Sequence, residues 1–499
     1  MNLSQAIEKV NEVERNVVAI FHAMSILNFD GETIAPKQSW RGRGEAAAWL
    51  SGQSHALVTS PAMQEAVETI LAQREACDRV MIRKAEEFHE MLEEMLLTPP
   101  EELAENERLL TEASAVWHEA KIKDDYAAFA PYLERLIDMR RRFAQRKDAS
   151  RPAYDVLLDV YEKGTSMAML DPFFELLRKE LTPVIAAVTE KPAPRTDFLH
   201  RHYPVHLQRE FSDRLMAQMG IDRERCAISE TEHPFTDGAN KWDVRITTHY
   251  HEDDVSASLY SVVHESGHAI YEMGVADQLQ FTILGSGSSM SIHESQSRFY
   301  ENIIGRSEPF CHVLFGLLRD IFPDQLADVT ADEFYRAVNM AVPSLIRTEA
   351  DELTYPMHVL IRYEMEKRIF AGDVTVAELP ALWRELYRKY LGVSVPNDRQ
   401  GVLQDSHWSS AMFGYFPSYA VGSAYGVQML HVMEQEVPVW EHVAKGDLTP
   451  VTTWLGSRIH RHGQLLTTRE ILTSAGVDPF EPRQYVDYLT RKFTALYQL

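Results

Sequence analysis

Cysteine is scarce in this sequence. Its three cysteines, Cys77, Cys226 and Cys311, stand far apart among 499 residues. An odd and sparse set of this kind does not form the disulfide framework of a small secreted domain. No Cys-x-x-Cys pair occurs, so the sequence also lacks a thiolate metal site of the usual spacing.

Positive charge and long apolar runs are lacking as well. Fifty Lys and Arg residues stand against 74 Asp and Glu residues, which gives a formal net charge of -24. Nucleic acid and anionic membranes are therefore poor partners, because a protein that binds phosphates needs a basic stripe. No run of 18 apolar residues occurs, and the N-terminus has no basic segment followed by an apolar one. We therefore expect no membrane span and no secretory signal, and a cytoplasmic location.

Helical periodicity is abundant. Apolar side chains recur at helical spacing over residues 3–27, with charged residues on the opposite face. Three prolines interrupt residues 190–204, between an N-terminal helical part (about residues 1–190) and a second part (about residues 205–499). Because helices of the same character lie on both sides, we interpret this segment as a loop within one domain that spans residues 1–499.

Two short segments have strand character instead. Residues 226–230 and residues 243–248 alternate apolar and polar side chains, and they flank a turn-rich segment with the sequence HPFTDGANKW. We predict that they form two short antiparallel strands. The predicted fold class is therefore mostly α, a single large helical unit with a small antiparallel sheet.

A motif that can bind a metal follows these strands. His264 and His268 are four residues apart on a predicted helix that Asp254 or Ser256 can cap, so both imidazoles leave the same face. Two nitrogens so placed can bind one tetrahedral cation at about 2.0–2.1 Å. Glu265 is rotated by about 100° and reaches beside the metal, where a general base has to stand. This H-E-x-x-H spacing predicts a zincin-like zinc site.

A third ligand has to come from elsewhere in the chain. The metzincin class is excluded, because it requires glycine where this sequence has Tyr271 and histidine where it has Gly274. Glu294 follows a Gly- and Ser-rich connection and stands in a second segment of helical character, which can pack beside the first helix. Glu301 and His293 are alternative ligands, and Glu294 as an ordinary surface acid is the remaining alternative.

The two histidine motifs together resemble one known family. HESGH (264–268) followed by HESQS (293–297) is similar to the carboxypeptidase Taq family of thermostable metallocarboxypeptidases. Four further motifs of that family occur here in order: HPF at 233–235, DxRxT at 243–247, IRxxAD at 346–351 and GxxQDxHW at 401–408. One departure is Phe29, which stands where the family often has tryptophan, and we expect it to affect local packing only.

The resemblance implies a fold and an activity. It implies one mostly helical unit with a small sheet beside a deep groove. It also implies a cytoplasmic homodimer that removes C-terminal amino acids with broad specificity, usually failing at proline. The metal would be zinc, which cobalt can replace. By position, His264, His268 and Glu294 would bind the metal and Glu265 would be catalytic.

A carboxypeptidase has to bind the free carboxylate of its peptide substrate. Arginine suits this task, since its planar fork donates two parallel hydrogen bonds to one carboxylate. Arg347 is our first candidate and Arg245 the second, with Asp351 as the residue that orients the arginine. The alternative for Arg347 is a structural ion pair with Glu349, Asp351 or another acid.

Residues 243–247 are a candidate for backbone recognition. In many zincins an edge strand lies along the metal helix and pairs with the substrate by β-augmentation. These residues are placed for that role, and a purely structural strand and turn is the alternative.

Further polar residues are candidates for the groove. An imidazole or a tyrosine hydroxyl near the metal can stabilise the oxyanion, and His407, Tyr415 and Tyr419 are the candidates. His233 and Gln404 complete the set of substrate-binding candidates. For His407, Tyr415, Tyr419 and His233, the alternative role is that of a satisfied polar residue in the groove wall.

Two other functions remain as alternatives. A metallo-endopeptidase or oligopeptidase would use the same metal site, and only its tolerance of a blocked C-terminus would distinguish it. A non-catalytic metal- or peptide-binding scaffold is the second alternative. The intact Glu265 argues against a scaffold, because a pure binding site does not need a general base.

Overall fold

The structure is a computed structural model that describes residues 1–499, with all side chains except that of Pro100. Most of the chain is helical, as the periodicity predicts. The helices that precede the sheet are α1 (Leu3–Thr33), α2 (Trp40–Val58), α3 (Pro61–Ala72), α4 (Arg79–Leu97), α5 (Pro100–Lys123), α6 (Tyr126–Lys147), α7 (Ala153–Tyr161), α8 (Met167–Thr189) and α9 (Val205–Gln218).

Three strands follow α9 and form a small mixed sheet. They are β1 (Cys226–Glu230), β2 (Thr236–Asn240) and β3 (Asp243–Thr248). The central strand β3 runs parallel to β1 and antiparallel to β2. The mostly helical fold class is thus confirmed, but the predicted antiparallel pairing of residues 226–230 with 243–248 was wrong. The turn-rich segment between them forms β2, and two chain reversals leave β1 and β3 pointing the same way.

The remaining helices build the second part of the molecule. They are α10 (Val255–Gly274), α11 (Met290–Arg298), α12 (Glu308–Ile321), α13 (Ala331–Val338), α14 (Tyr355–Ala371), α15 (Leu379–Leu391), α16 (Pro417–Met433), α17 (Val439–Val443), α18 (Thr449–Arg458), α19 (Thr468–Ser474) and α20 (Pro482–Tyr497). A π-helical segment, Phe299–Gly305, continues α11. None of the described helices combines the length and the hydrophobicity that a bilayer crossing requires.

The hydrophobic core consists mainly of two clusters of buried apolar side chains. One large apolar cluster extends from α5 to α20, and a second joins α1, α3 and α4. The proline-rich segment 190–204 is a loop whose side chains Phe198 and Tyr203 are buried in the large cluster. This loop therefore packs against the protein and does not run free between two bodies.

The sheet lies between α1 and α10. On one face, Ser25 of α1 donates a hydrogen bond of 2.7 Å to Asp237 of β2. Phe29, the residue that departs from the family pattern, packs edge-on against Phe235 with 5.9 Å between ring centres. On the other face, β2 and β3 pack on α10.

Close packing of α10 on α11 positions the two histidine motifs. A Cβ atom on Gly267 would lie 2.7 Å from the backbone oxygen of Gln296, so no side chain fits between the two helices. Gly422 of α16 packs against α11 from the other side. A Cβ atom on Gly422 would lie 2.8 Å from the backbone oxygen of Ser291. Because α11 is held this closely, Glu294 lies beside the histidines of α10.

Candidate metal centre and substrate groove

Helix α10 presents the first two candidate ligands. It begins where the sequence predicts, with the Asp254 carboxylate accepting hydrogen bonds from the backbone N–H groups of Ser256 and Ala257. His264 and His268 lie on one face of the helix, with 5.0 Å between their ring centres. Both side chains are largely but not fully buried, so a ligand can still reach them.

Helix α11 supplies a third donor at the same point. Glu294 Oε2 lies 3.9 Å from His264 Nε2 and 3.7 Å from His268 Nε2. These separations suit three atoms that each bind one cation at about 2.0–2.2 Å. The structure therefore brings together the three residues to which the family resemblance assigns the metal.

The other ring nitrogen of each histidine has a partner behind it. His264 Nδ1 lies 2.8 Å from Glu301 Oε2. His268 Nδ1 lies 2.6 Å from His293 Nδ1, and His293 Nε2 lies 2.7 Å from Glu272 Oε1. These contacts favour the tautomer that leaves each Nε2 free for a metal. Glu301 and His293, the alternative ligands, thus lie behind the imidazoles.

Glu294 is also held so that one oxygen stays available. Arg298 Nε donates a hydrogen bond of 2.7 Å to Glu294 Oε1. The same guanidinium lies 3.3 Å from Glu301 Oε2, so one buried arginine holds both carboxylates. Glu294 Oε2 is then the oxygen that faces the two histidines.

The electrostatics of the cluster favour a cation. Burial alone would lower the pKa of His264, but the carboxylates of Glu301, Glu294 and Glu265 outweigh burial and raise that pKa to about 9. A divalent ion can take the place of that proton. Nitrogen and oxygen donors that converge within 4.8 Å of one another and have their other polar atoms engaged fit such an ion.

Glu265 lies beside the three donors and not among them. Its carboxylate accepts a hydrogen bond of 2.6 Å from the Thr236 hydroxyl of β2. Its side chain is almost fully buried, and burial raises its pKa above the ordinary glutamate range. A buried carboxylate with a raised pKa, held in one orientation, is suited to accept and return a proton.

Arg347 is buried in a cluster of polar groups. Its guanidinium lies 3.0 Å from Asp405 Oδ1, and Nη1 donates a hydrogen bond of 3.0 Å to the Tyr355 hydroxyl. Arg362 binds the other oxygen of Asp405 at 2.7 Å. The acid that pairs with Arg347 is therefore Asp405. Two arginines share this one carboxylate, so the group retains a positive charge.

Arg347, Arg362 and Asp405 form what we call the arginine cluster. It adjoins the metal cluster, our name for the three donor residues His264, His268 and Glu294. Arg298, which binds Glu294, lies over the ring of Tyr355 at 4.4 Å from its centre. Arg347 binds the hydroxyl of the same tyrosine. One aromatic ring thus separates the surplus positive charge from the residue that holds a candidate metal ligand.

Asp351 and Arg245 are engaged elsewhere. Asp351 accepts hydrogen bonds of 3.0 Å from the backbone N–H groups of Leu353 and Thr354, so it stabilises a turn and does not orient Arg347. Arg245 forms a two-point ion pair with Asp243, at 2.7 and 2.9 Å. The guanidinium of Arg245 lies over the ring of Phe29 and faces α1.

The C-terminal motif residues lie around Arg347. His407 Nε2 lies 3.2 Å from the hydroxyl of Tyr419, whose ring centre is 4.9 Å from the Arg347 guanidinium. Burial lowers the pKa of His407 to about 4, so this imidazole is neutral at pH 7. Tyr415 packs edge-on against Tyr419. Gln404 accepts a hydrogen bond of 3.0 Å from the backbone N–H of Arg347 and so positions that residue.

His233 stands apart from both clusters. It is exposed in the loop that joins β1 to β2. Its neighbour in the HPF motif, Phe235, is the member that packs on α1.

Both β2 and β3 pack on the metal helix, and of these two only β2 is an edge strand. Residues 243–247 form the central strand β3, whose two edges are occupied by β1 and β2, so the prediction that they pair with substrate was wrong. The backbone of Thr247 bonds to that of Phe235 at 2.9 Å, with Thr236 opposite Ile246 as the next pair. By the alternation of antiparallel ladders, the backbone groups of Thr236 and Gly238 point to the outer edge.

Several contributors were missed by sequence reasoning. Arg298 stands four residues after Glu294, a spacing that places both on one helix face and could have identified it. Asp405 lies inside a recognised motif. Thr236, Tyr355 and Arg362 carry no local signal, because only the packing of distant segments brings them to the site.

Comparison with known proteins gives one consistent result. The profile of the family described as "Carboxypeptidase Taq (M32) metallopeptidase" matches residues 9–493. Carboxypeptidase 1 of Bacillus subtilis is 37% identical over 479 residues, which cover 96% of each chain.

Solved structures agree with this result. An M32 carboxypeptidase from Deinococcus radiodurans R1 superposes with a TM-score of 0.96 at 33% identity, covering 99% of this chain and 100% of the other. A structure described as "Pyrococcus furiosus Carboxypeptidase Apo-Mg" superposes with a TM-score of 0.94 at 32% identity, covering 98% and 99%.

Proposed function

The chain belongs to the carboxypeptidase Taq (M32) family of metallopeptidases, and from this membership we propose how its own residues act on peptides. It is a metal-dependent carboxypeptidase. The proposal is that it releases C-terminal amino acids one at a time, with broad specificity and poorly at proline. The observation that carries it is the short path from the donor cluster through Tyr355 to Arg347.

His264, His268 and Glu294 are the residues that would hold the metal. Zinc suits this set because two imidazoles and one carboxylate are a common ligand set of catalytic zinc sites. Cobalt is the substitute that the family resemblance implies. When bound, such an ion supplies Lewis acidity, which polarises a peptide carbonyl and lowers the pKa of water.

Glu265 moves the proton. The Thr236 hydroxyl holds its carboxylate at 2.6 Å, beside the donor cluster. From there it accepts a proton from the attacking water and delivers it to the leaving amine. Burial raises its pKa, which brings the proton affinity of the carboxylate closer to that required for both steps.

Arg347 binds the free carboxylate of the substrate. Asp405 neutralises only one of the two arginines that share it, so one positive charge is left for a ligand. The neutral hydroxyl of Tyr419, whose pKa burial raises well above its ordinary value, lies beside this charge and can donate to an oxyanion. His407 holds that hydroxyl, and Gln404 holds the backbone of Arg347.

A blocked peptide tests the activity. A peptide with a free C-terminus is expected to give a ladder that loses one residue at a time, because Arg347 requires a carboxylate. The same peptide with a C-terminal amide is expected to stay intact, and a chelator is expected to stop the ladder. Timed mass spectrometry measures all three. Internal cleavage of the amidated peptide would instead support a metallo-endopeptidase.

Removing the charge of Arg347 is expected to weaken substrate binding. Arg347→Met should raise KM for free peptides by about 10²-fold, since loss of one partner of a buried charge pair costs about 2–5 kcal/mol. Arg347→Lys, which keeps the charge but loses the fork, should fall in between. Arg245→Met is the control, because that arginine is paired with Asp243 and faces α1.

Thermal unfolding distinguishes misfolding from lost recognition in these variants. A wild-type KM in folded Arg347→Met would remove Arg347 from the substrate site. Equal effects of Arg347→Met and Arg245→Met would do the same.

Organisation and location complete the proposal. One metallocarboxypeptidase domain spans residues 1–499, since the family profile covers 9–493 and the linking loop is buried. A cytoplasmic location is in keeping with three free cysteines among the described residues. The homodimer rests on the family resemblance, and sedimentation equilibrium measures it against the chain mass of 57.1 kDa.

A further inference from the structure

The middle of the metal helix α10 and its C-terminal end have different surroundings. Beside His264, in the middle of the helix, lie Glu301, Arg298 and, through Tyr355, the arginine cluster. Near the C-terminal end, Glu272 contacts His293 and accepts a hydrogen bond of 2.9 Å from the backbone N–H of Gly287. A peptide whose carboxylate lies at the arginine cluster therefore extends its upstream residues toward the Glu272 end.

The edge strand β2 runs along the same direction. Its first residue, Thr236, binds Glu265, and Gly238 lies over Glu272, to which a Cβ atom would come within 3.3 Å. The strand thus runs from the catalytic carboxylate toward the Glu272 end. A substrate that follows the direction given above would run antiparallel to β2, and the outward backbone groups of Thr236 and Gly238 suit that pairing.

A cavity lies beside Gly238, where a peptide paired with β2 would extend beyond the metal cluster. Its volume is about 340 Å³, which is within the range of small-ligand pockets. It is bounded by β2 from Gly238 to Asn240, by Phe21 of α1, by Met91 of α4 and by Phe281 and Ile283 of the loop before α11. These four side chains form an apolar part of the lining, and polar side chains, among them Glu87 and Gln464, form the rest.

Phe281 is held in an unusual way at the rim of this cavity. Its φ angle is +60°, in the left-handed region that residues other than glycine rarely adopt. Its side chain is 59% exposed and stacks on the ring of Trp242, with 5.5 Å between ring centres. Backbone strain of this kind collects at functional sites such as ligand clamps, and it keeps an exposed aromatic ring at the mouth of the cavity.

We propose that this cavity is an upstream subsite, which binds an apolar side chain of the peptide two to four residues before the scissile bond. Gly238 at the cavity is two positions along β2 from Thr236, which lies beside the catalytic carboxylate. At about 3.4 Å per residue of strand, a paired peptide reaches the cavity with its second residue upstream and passes it by the fourth. The inference rests on the proposed carboxypeptidase direction.

The test compares peptides that differ only upstream. Peptides of six residues that share one C-terminal residue carry Phe or Asp at each of the other positions in turn, and an N-blocked dipeptide stops short of the cavity. Phe at one of the second to fourth positions is expected to raise kcat/KM about tenfold over Asp, from burial of one aromatic side chain. No such preference is expected at the position next to the scissile bond.

A matched pair of variants assigns this preference to the cavity. Phe281→Gly removes the ring and suits the positive φ, so the loop should keep its shape. In this variant the ratio of kcat/KM for the best Phe peptide to that for the blocked dipeptide should fall about tenfold. Trp49→Ala, which removes an exposed aromatic ring on α2 outside the cavity lining, should leave that ratio unchanged.

The outcomes separate the two proposals. An active wild-type enzyme with no upstream preference, or an unchanged ratio in Phe281→Gly, overturns the subsite and leaves the carboxypeptidase reaction standing. Failure of the wild type on every free peptide overturns the proposed function and the subsite with it. The expected preference, lost only in Phe281→Gly, supports both.

Discussion

Glu265→Gln is expected to abolish nearly all peptidase activity while the protein keeps its metal. The amide has the shape of the carboxylate but cannot accept a proton at neutral pH, and general base catalysis contributes about 10²–10⁴-fold to such reactions. The metal should stay because Glu265 lies beside the donor cluster of His264, His268 and Glu294 and is not part of it. kcat with an unblocked peptide and elemental analysis of the same preparation measure the two effects.

A second variant examines how the carboxylate is held. Thr236→Val removes the hydrogen bond to Glu265 but not the base itself, so its activity should lie between those of the wild type and Glu265→Gln. Substantial turnover by metal-loaded Glu265→Gln would remove Glu265 from the role of general base. Loss of metal from Glu265→Gln would show instead that the cluster depends on its charge.

Glu294→Ala is expected to lose bound metal under dialysis that leaves the wild type loaded. The side chain supplies the only carboxylate oxygen of the described donor cluster, so two imidazoles would remain. Glu301→Gln is the matched control, because Glu301 acts through the Nδ1 atom of His264 at 2.8 Å. Loss of such an outer partner costs about 10–100-fold in metal affinity. The loss in Glu294→Ala should be larger.

Chelator competition measures both affinities, and elemental analysis measures occupancy. Glu294→Gln repeats the test with a side chain of the same size, in case the alanine variant leaves Arg298 without its partner and unfolds. Full occupancy in both Glu294 variants would make Glu301 or His293 the ligand. A larger loss in Glu301→Gln than in Glu294→Ala would lead to the same conclusion.

Features that depend on residues close together in the sequence could be predicted, whereas features that depend on distant residues needed the family motifs or the structure. Helix α10 and the shared face of His264 and His268 follow from local periodicity, and the structure has this helix as predicted. Of the two caps that the sequence allows, Asp254 and Ser256, the structure has Asp254. Glu294 needed the family motifs, because spacing alone did not separate it from Glu301 and His293. The structure resolves the geometry of these three, since the close contact at Gly267 sets which residue of α11 faces the histidines.

The pairing of the strands could not be predicted from the sequence. Residues 226–230 and 243–248 had the right local character, but their partner strand and direction depended on how the segment between them folded. That segment contains a glycine, a proline and polar residues, which have low strand propensity, so only pairing with β3 over α10 makes β2 a strand. The edge beside α10 that a further strand could join is therefore that of β2 and not that of β3.

The sequence by itself determined the mostly helical fold class, the metal helix and, through the ordered motifs, the family. These features depend on contacts between residues a few positions apart, or on motifs that are read directly. Only the tertiary structure decided that Arg347 shares Asp405 with Arg362, that Arg298 joins the metal cluster to Tyr355, and that β2 leads to a cavity. Each of these depends on side chains that are far apart along the chain. Their proximity is set by helix packing, which no local pattern encodes.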